Sequence, residues 1–221
     1  MKKFFSFSVL VLFTLNAIAQ TGTSSTESPI VYKTLSGSVS GTLAMPQNAS
    51  GKVPLVLIIA DSGPTDRNGN NPQADINDNA YQLIAEALAK NGIASVRYDK
   101  RMVGESKTSN KPADARYDDY VDDAVGLIEM LGDDQRFSKV IVLGHGEGSM
   151  VGMLAAHDQP VKAIISVNAT SQPGDKFLMS QLKSKPQYMQ DVFKTLIDSL
   201  RKGKTTDNVA PSLYYIASPA E

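Results

Sequence analysis

Three glycines at alternate positions, in the stretch Gly144-His145-Gly146-Glu147-Gly148, separate an apolar run at 139–143 from a helical pattern at 149–156. Glycines placed this way let a strand reverse sharply into a helix without side chains colliding. A turn of that shape serves one of two chemistries. Its N–H groups can attract a phosphate at the helix N-terminus, or its tip can hold a nucleophilic hydroxyl in a strained and exposed position. Three details count against phosphate. The spacing is G-x-G-x-G rather than G-x-G-x-x-G, the turn follows a late strand, and the next strand ends at Asn168 without an acid for a ribose hydroxyl. As a nucleophile turn, however, it has Gly146 at the tip, and glycine has nothing to attack with.

The other chemically able residues have structural readings that outweigh the functional ones. Ser149 is the nearest hydroxyl but lies in the first turn of the helix, where a serine caps or packs. His145 precedes the tip and is expected to point away from a cleft and support the turn. His157 ends the helix, where a cation complements the dipole. Arg97, Asp99 and Arg101 could fix a substrate but are better read as an ion-pair network bracing loops. Asp118, Asp119, Asp122 and Asp123 open a helix and complement its dipole, with no loop pattern for calcium. No metal site and no cofactor are expected.

Positioning these residues requires a layered scaffold. Residues 30–45 alternate imperfectly around Gly37 and Gly41 and read as one or two antiparallel strands. VPLVLIIA at 53–60 is a continuous β-branched and apolar run, the pattern of a strand buried on both faces. A Gly/Asn/Asp/Pro loop follows at 61–78. Helical spacing at 79–91 ends in Asn91-Gly92, a strand is expected at 93–98, a helix at 118–131, and further buried strands at 139–143 and 161–167. Strands alternating with helices imply a mostly parallel sheet flanked by helices. From 172 to 202 the pattern is helical and more polar, divided at Pro186, as in a lid over a cleft.

Two loops identify the scaffold more sharply than the glycine turn. Asp61-Ser62-Gly63-Pro64-Thr65-Asp66-Arg67-Asn68-Gly69-Asn70 follows the first buried strand. Arg97-Tyr98-Asp99-Lys100-Arg101-Met102-Val103-Gly104-Glu105-Ser106 follows the second. Both resemble the signature loops of exported bacterial α/β-hydrolases of the serine aminopeptidase and esterase type, where they read GSGPTDRxGN and RYDKRGxGES and the turn reads GHSxG. The resemblance spans roughly 30–213. It implies an α/β-hydrolase fold acting on small acyl esters or amides, with C-terminal strands missing here. It also implies an oxyanion hole of backbone N–H groups at Ser62 and Glu147 on either side of the vacant nucleophile position, Gly146, with Asp61, Arg67, Arg101 and His145 as further cleft and loop residues. The family's acid and histidine follow later strands, and no sequence here matches them.

Two departures sit in the matched loops: Asp61 and Met102 stand where the family has glycine. A carboxylate at 61 should lie close to the oxyanion donors and repel developing negative charge, and Met102 should be held in a conformation that glycine enters more easily.

The ends and the composition bound the rest. Residues 1–19 read as a signal peptide, with Lys2 and Lys3, an apolar run at 4–18, and Ala17 and Ala19 before the cut at Gln20. Export to the periplasm or beyond is expected, with no stable membrane span. The chain has no cysteine, so it holds no disulfide. Its net charge is −1, and −3 once Lys2 and Lys3 leave with the leader. Near neutrality and the lack of a basic stripe argue against nucleic acid as a partner. The expected organisation is a disordered leader at 20–29, a hydrolase core at 30–171, a helical lid at 172–203 and a tail at 204–221. The functional expectation is an esterase-like chain that is inactive, the alternatives being a non-catalytic ligand-binding protein or a truncated gene product.

Overall fold

The computed structural model describes residues 25–111, 114–204, 209 and 211. The expected signal peptide and nearly all of the expected tail lie outside them.

Among the described residues seven strands form one sheet in the order β1-β2-β4-β3-β6-β7, with the two-residue β5 (Lys107–Thr108) paired to β2. β1 (Ser25–Thr34) and β2 (Gly37–Pro46) make an antiparallel hairpin, and β2 runs antiparallel to β4 (Ala94–Tyr98). β4, β3 (Val53–Ile59), β6 (Phe137–His145) and β7 (Ala163–Val167) are mutually parallel. β1 begins inside the segment expected to be a disordered leader. Residues 25–29 pair in register with 42–46 of β2, and that hydrogen-bond ladder orders a stretch whose polar composition suggests disorder.

The continuous apolar run behaves as its pattern requires. Leu55, Leu57 and Ile59 face one core with Leu127, Ile128 and Leu131 of α2 (Tyr117–Gly132) and Val151 of α3 (Glu147–Ala155). Val56, Ile58 and Ala60 face the other core with Tyr81 of α1 (Ala80–Lys90). Side chains alternate across a strand, so only a strand sandwiched between helices can be apolar at every position. The segment expected to be a further buried strand departs from this. Every residue of β7 is exposed, and among the described residues β7 pairs only with β6, at the edge of the sheet. The β-branched run reports strand propensity there, not burial.

α4 (Gly174–Gln181) and α5 (Gln187–Leu200) fall in the region expected to form a lid. They share a small core of Leu182, Met189, Phe193 and Leu196, closed by Val209, and Pro186 stands at the N-cap of α5. Among the described residues no helix is long and apolar enough to cross a membrane.

Candidate active site

β3 and β6 are parallel neighbours, and Ile59 is paired with Gly144. Their carboxyl ends therefore open side by side, which brings the loop that starts at Asp61 against the Gly144–Gly148 turn. In open α/β sheets ligands bind at this edge. The close approach explains two of the glycines. A Cβ on Gly148 would lie 2.3 Å from the Ile59 carbonyl oxygen, and one on Gly144 would lie 2.3 Å from the Gly148 carbonyl oxygen.

Gly146 itself is the residue between β6 and α3, at φ 53 and ψ −118, a region of positive φ that L side chains rarely adopt. A Cβ there would lie 1.9 Å from Asp61 Oδ1 and 2.6 Å from Asp61 Oδ2. The Asp61 carboxylate thus stands where a nucleophile's side chain would begin. Its Oδ1 accepts hydrogen bonds from Ser62 N–H at 2.7 Å and Glu147 N–H at 3.0 Å. The two donors expected to form an oxyanion hole do converge on a single oxygen, and that oxygen belongs to the chain. The Asp61 carboxylate, expected to lie near these donors, is bonded to both of them.

The other expected site residues fall into supporting positions. His145 Nδ1 lies 2.9 Å from the Tyr81 hydroxyl, which accepts from Asp61 N–H at 3.1 Å, so His145 braces the turn through Tyr81. Ser149 is fully buried; its hydroxyl donates to the Gly144 carbonyl at 2.6 Å and accepts from Val167 N–H at 3.2 Å. His157 is exposed beside Asp158, beyond the end of α3. Neither Arg67 nor Arg101 reaches the site. Arg67 pairs with Asp99 at 2.6 Å and Glu105 at 2.8 Å, while Arg101 grips Asp123 through Nε at 2.6 Å and Nη2 at 2.8 Å. Buried Arg97 binds Glu27 at 2.9 Å. These pairs clip the second signature loop to its neighbours. They also correct the reading of the acidic run, because Asp123 is buried and serves Arg101 rather than the helix dipole alone. Met102 has φ 63, the left-handed conformation expected of it.

A cavity of about 570 Å³ opens above Gly146. Asp61, Ser62, Gly146 and Glu147 line its floor; Tyr117, Met150, Phe177 and Leu178 contribute apolar surface, and Asn168 and Gln181 polar surface. The turn motif pointed to the floor only. Asn168 was within reach of the rule that ligand-facing residues follow parallel strands, since it directly succeeds β7. The α4 residues carried no such signal. Lys100 lies buried beneath the floor, where it donates to the Asp61 carbonyl and lies 3.8 Å from Glu147. Burial depresses the Lys100 ammonium pKa, against the opposing pull of Glu147 and Asp61. Burial and Glu147 push the Tyr117 hydroxyl up to about 12, so it stays neutral at physiological pH. Among the described residues, no group of three or more histidine, aspartate or glutamate side chains gathers to hold a metal ion.

Known proteins resemble this chain in sequence and in fold. Esterase EstD of Thermotoga maritima is 25% identical over 186 residues, covering 82% of this chain and 42% of its own length. The chain thus spans less than half of that curated relative. The α/β hydrolase GrgF from Penicillium sp. sh18 superposes with a TM-score of 0.55 at 16% identity, covering 89% of this chain and 68% of that one. Est1E from Butyrivibrio proteoclasticus, solved with ferulic acid bound, gives 0.51 at 22% identity over 61% of this chain and 50% of that one. Both likenesses show the fold. Residues 77–213 match the family described as serine aminopeptidase, S33. With more than half of the chain matched, and with its sheet order and strand-turn-helix junction, this protein belongs to the serine aminopeptidase S33 family of α/β-hydrolases.

Proposed function

We propose that this chain is a non-hydrolytic member of an esterase-like family, one that keeps a ligand cavity and the backbone donors of an oxyanion hole without the nucleophile. One observation carries the reading: the Asp61 carboxylate occupies the space of the nucleophile's side chain and satisfies both donors. Gly146 offers no attacking atom, Ser149 is committed to backbone partners, and the sequence holds two histidines, His145 bound to Tyr81 and His157 exposed beyond α3. A resident carboxylate also opposes the negative charge that builds on an ester oxygen during acyl transfer. The family supports small acyl esters or amides as the ligand class the scaffold evolved to admit. The test is hydrolysis of p-nitrophenyl acetate by the unaltered chain. The expected rate equals that of buffer, and saturable turnover above it overturns the reading.

Export is part of the same proposal, supported by Lys2 and Lys3, the apolar run at 4–18 and the Ala17-Ile18-Ala19 site. Amino-terminal sequencing of the protein recovered from the periplasm or medium should begin at Gln20. A product retaining Met1 would count against it.

A further inference from the structure

Among the described residues, the cavity is lined by two carboxylates, Asp61 and Glu147, and by no lysine, arginine or histidine. Glu147 has a partial counter-charge in Lys100, at 3.8 Å. Lys100 turns its hydrogen bond to the Asp61 backbone carbonyl, and among the described residues no cation forms an ion pair with the Asp61 carboxylate. Asp61 Oδ1 is taken by the two backbone N–H groups, whereas Oδ2 accepts no hydrogen bond from any described residue. That oxygen would lie 2.6 Å from a Cβ on Gly146, and both residues line the cavity.

In a hydrolase, the two N–H donors make this point attractive to negative charge. Here that attraction is spent within the chain, on the carboxylate of a residue that itself lines the cavity. The polarity of the site is reversed. Tyr117, Met150, Phe177 and Leu178 surround it with apolar surface. Aromatic faces attract cations, and Tyr117 and Phe177 supply them here. A volume of about 570 Å³ lies within the ordinary range for a small-molecule site.

We infer that this cavity binds a small organic cation: a primary ammonium set against Asp61 Oδ2, carried on an apolar or aromatic body that packs on Met150, Phe177 and Leu178. The inference rests on the non-hydrolytic reading above, because it needs Asp61 to hold the nucleophile's place. It adds the chemical class of the ligand.

Calorimetric titration of the full chain at low ionic strength tests it, with benzylammonium chloride as probe and benzyl alcohol and sodium benzoate as matched controls. Saturable binding of the ammonium is expected, with the alcohol roughly tenfold or more weaker and benzoate weaker still. Asp61→Asn keeps an acceptor oxygen for the two N–H donors and should weaken the ammonium roughly tenfold or more while leaving the alcohol unchanged. Glu147→Gln should weaken it less, since Lys100 already offsets that charge. Equal binding of ammonium and alcohol would overturn the inference without recourse to any variant. Unchanged ammonium binding by Asp61→Asn would overturn it too, as would binding of calcium chloride in place of the ammonium. The two readings fail separately. Turnover of p-nitrophenyl acetate by the unaltered chain removes the non-hydrolytic reading, whereas no turnover and no ammonium binding removes the ligand assignment alone.

Discussion

Gly146 and Asp61 are sterically reciprocal: a Cβ on residue 146 would lie 1.9 Å from Asp61 Oδ1. Each residue makes room for the other. A glycine at 61 would leave the hole empty, and a serine at 146 would have to displace the carboxylate from its two N–H partners. Two departures that are separate losses in the sequence are one event in space.

Gly146→Ser alone should therefore be destabilising, by about 1–3 kcal/mol, from backbone strain and displaced hydrogen bonds. The double change Asp61→Gly with Gly146→Ser should recover part of that loss, with a coupling energy of about 1 kcal/mol or more. Urea denaturation of the two single variants and the double variant measures it, and strict additivity would contradict the reciprocity. Neither serine variant should hydrolyse p-nitrophenyl acetate, because His145 is held by Tyr81 and His157 lies beyond α3.

Ser149→Ala should cost about 1–3 kcal/mol in stability, since it removes a fully buried hydroxyl and leaves the Val167 N–H and the Gly144 carbonyl without their shared partner. Ligand binding in the cavity should be unchanged. Thermal unfolding and the benzylammonium titration read the two effects separately, and a neutral Ser149→Ala would refute its role as a brace between β6, α3 and β7.

Gly148→Ala should be more damaging than its small size suggests. The added methyl would meet the carbonyl oxygens of Ile59 and Ala60 at 2.3 and 2.5 Å, both backbone atoms that cannot rotate away. A loss of about 3 kcal/mol is expected, read as a lowered urea midpoint. The same change at exposed Gly132, where nothing lies within 4 Å, is the control.

Asp99 should govern the acid limb of stability. Burial raises its carboxyl, but the Arg67 hydrogen bond and the N–H groups of Glu105 and Arg67 outweigh that and hold it below the ordinary value of 3.8. The unfolded chain therefore takes up the proton first. The stabilisation is complete above 3.8 and is lost as pH falls through the lower, folded value. Asp99→Asn should destabilise the protein at neutral pH by about 3–5 kcal/mol, as expected for breaking a buried pair, and should flatten the decline in acid. Asp123 has the opposite sign, because burial outweighs Arg101 and raises its carboxyl, so Asp123→Asn should leave that decline intact or steepen it. Urea midpoints between neutrality and pH 3 distinguish them.

Much of this was legible in one dimension because it depends on local periodicity. The strand buried on both faces, the helices and the strand-turn-helix junction at Gly146 follow from apolar spacing and glycine placement, and the two signature loops named the family. Backbone donors at Ser62 and Glu147 were legible too, since main-chain N–H groups are set by the path of the turn and not by the side chains. The ordered start of β1 and the exposure of β7 were not, because pairing partners and sheet edges lie outside any local window. The helix-dipole reading of Asp123 missed Arg101 for the same reason.

Gly146 by itself determined that the tip of this turn carries no side chain. What stands beside that tip was decided only by tertiary structure. Residues 61 and 146 lie far apart along the chain and meet because β3 and β6 are parallel neighbours, so that their carboxyl ends open side by side. A carboxylate that reads as a nearby repulsive charge in sequence becomes, across that edge, the hydrogen-bond partner of the Ser62 and Glu147 N–H groups.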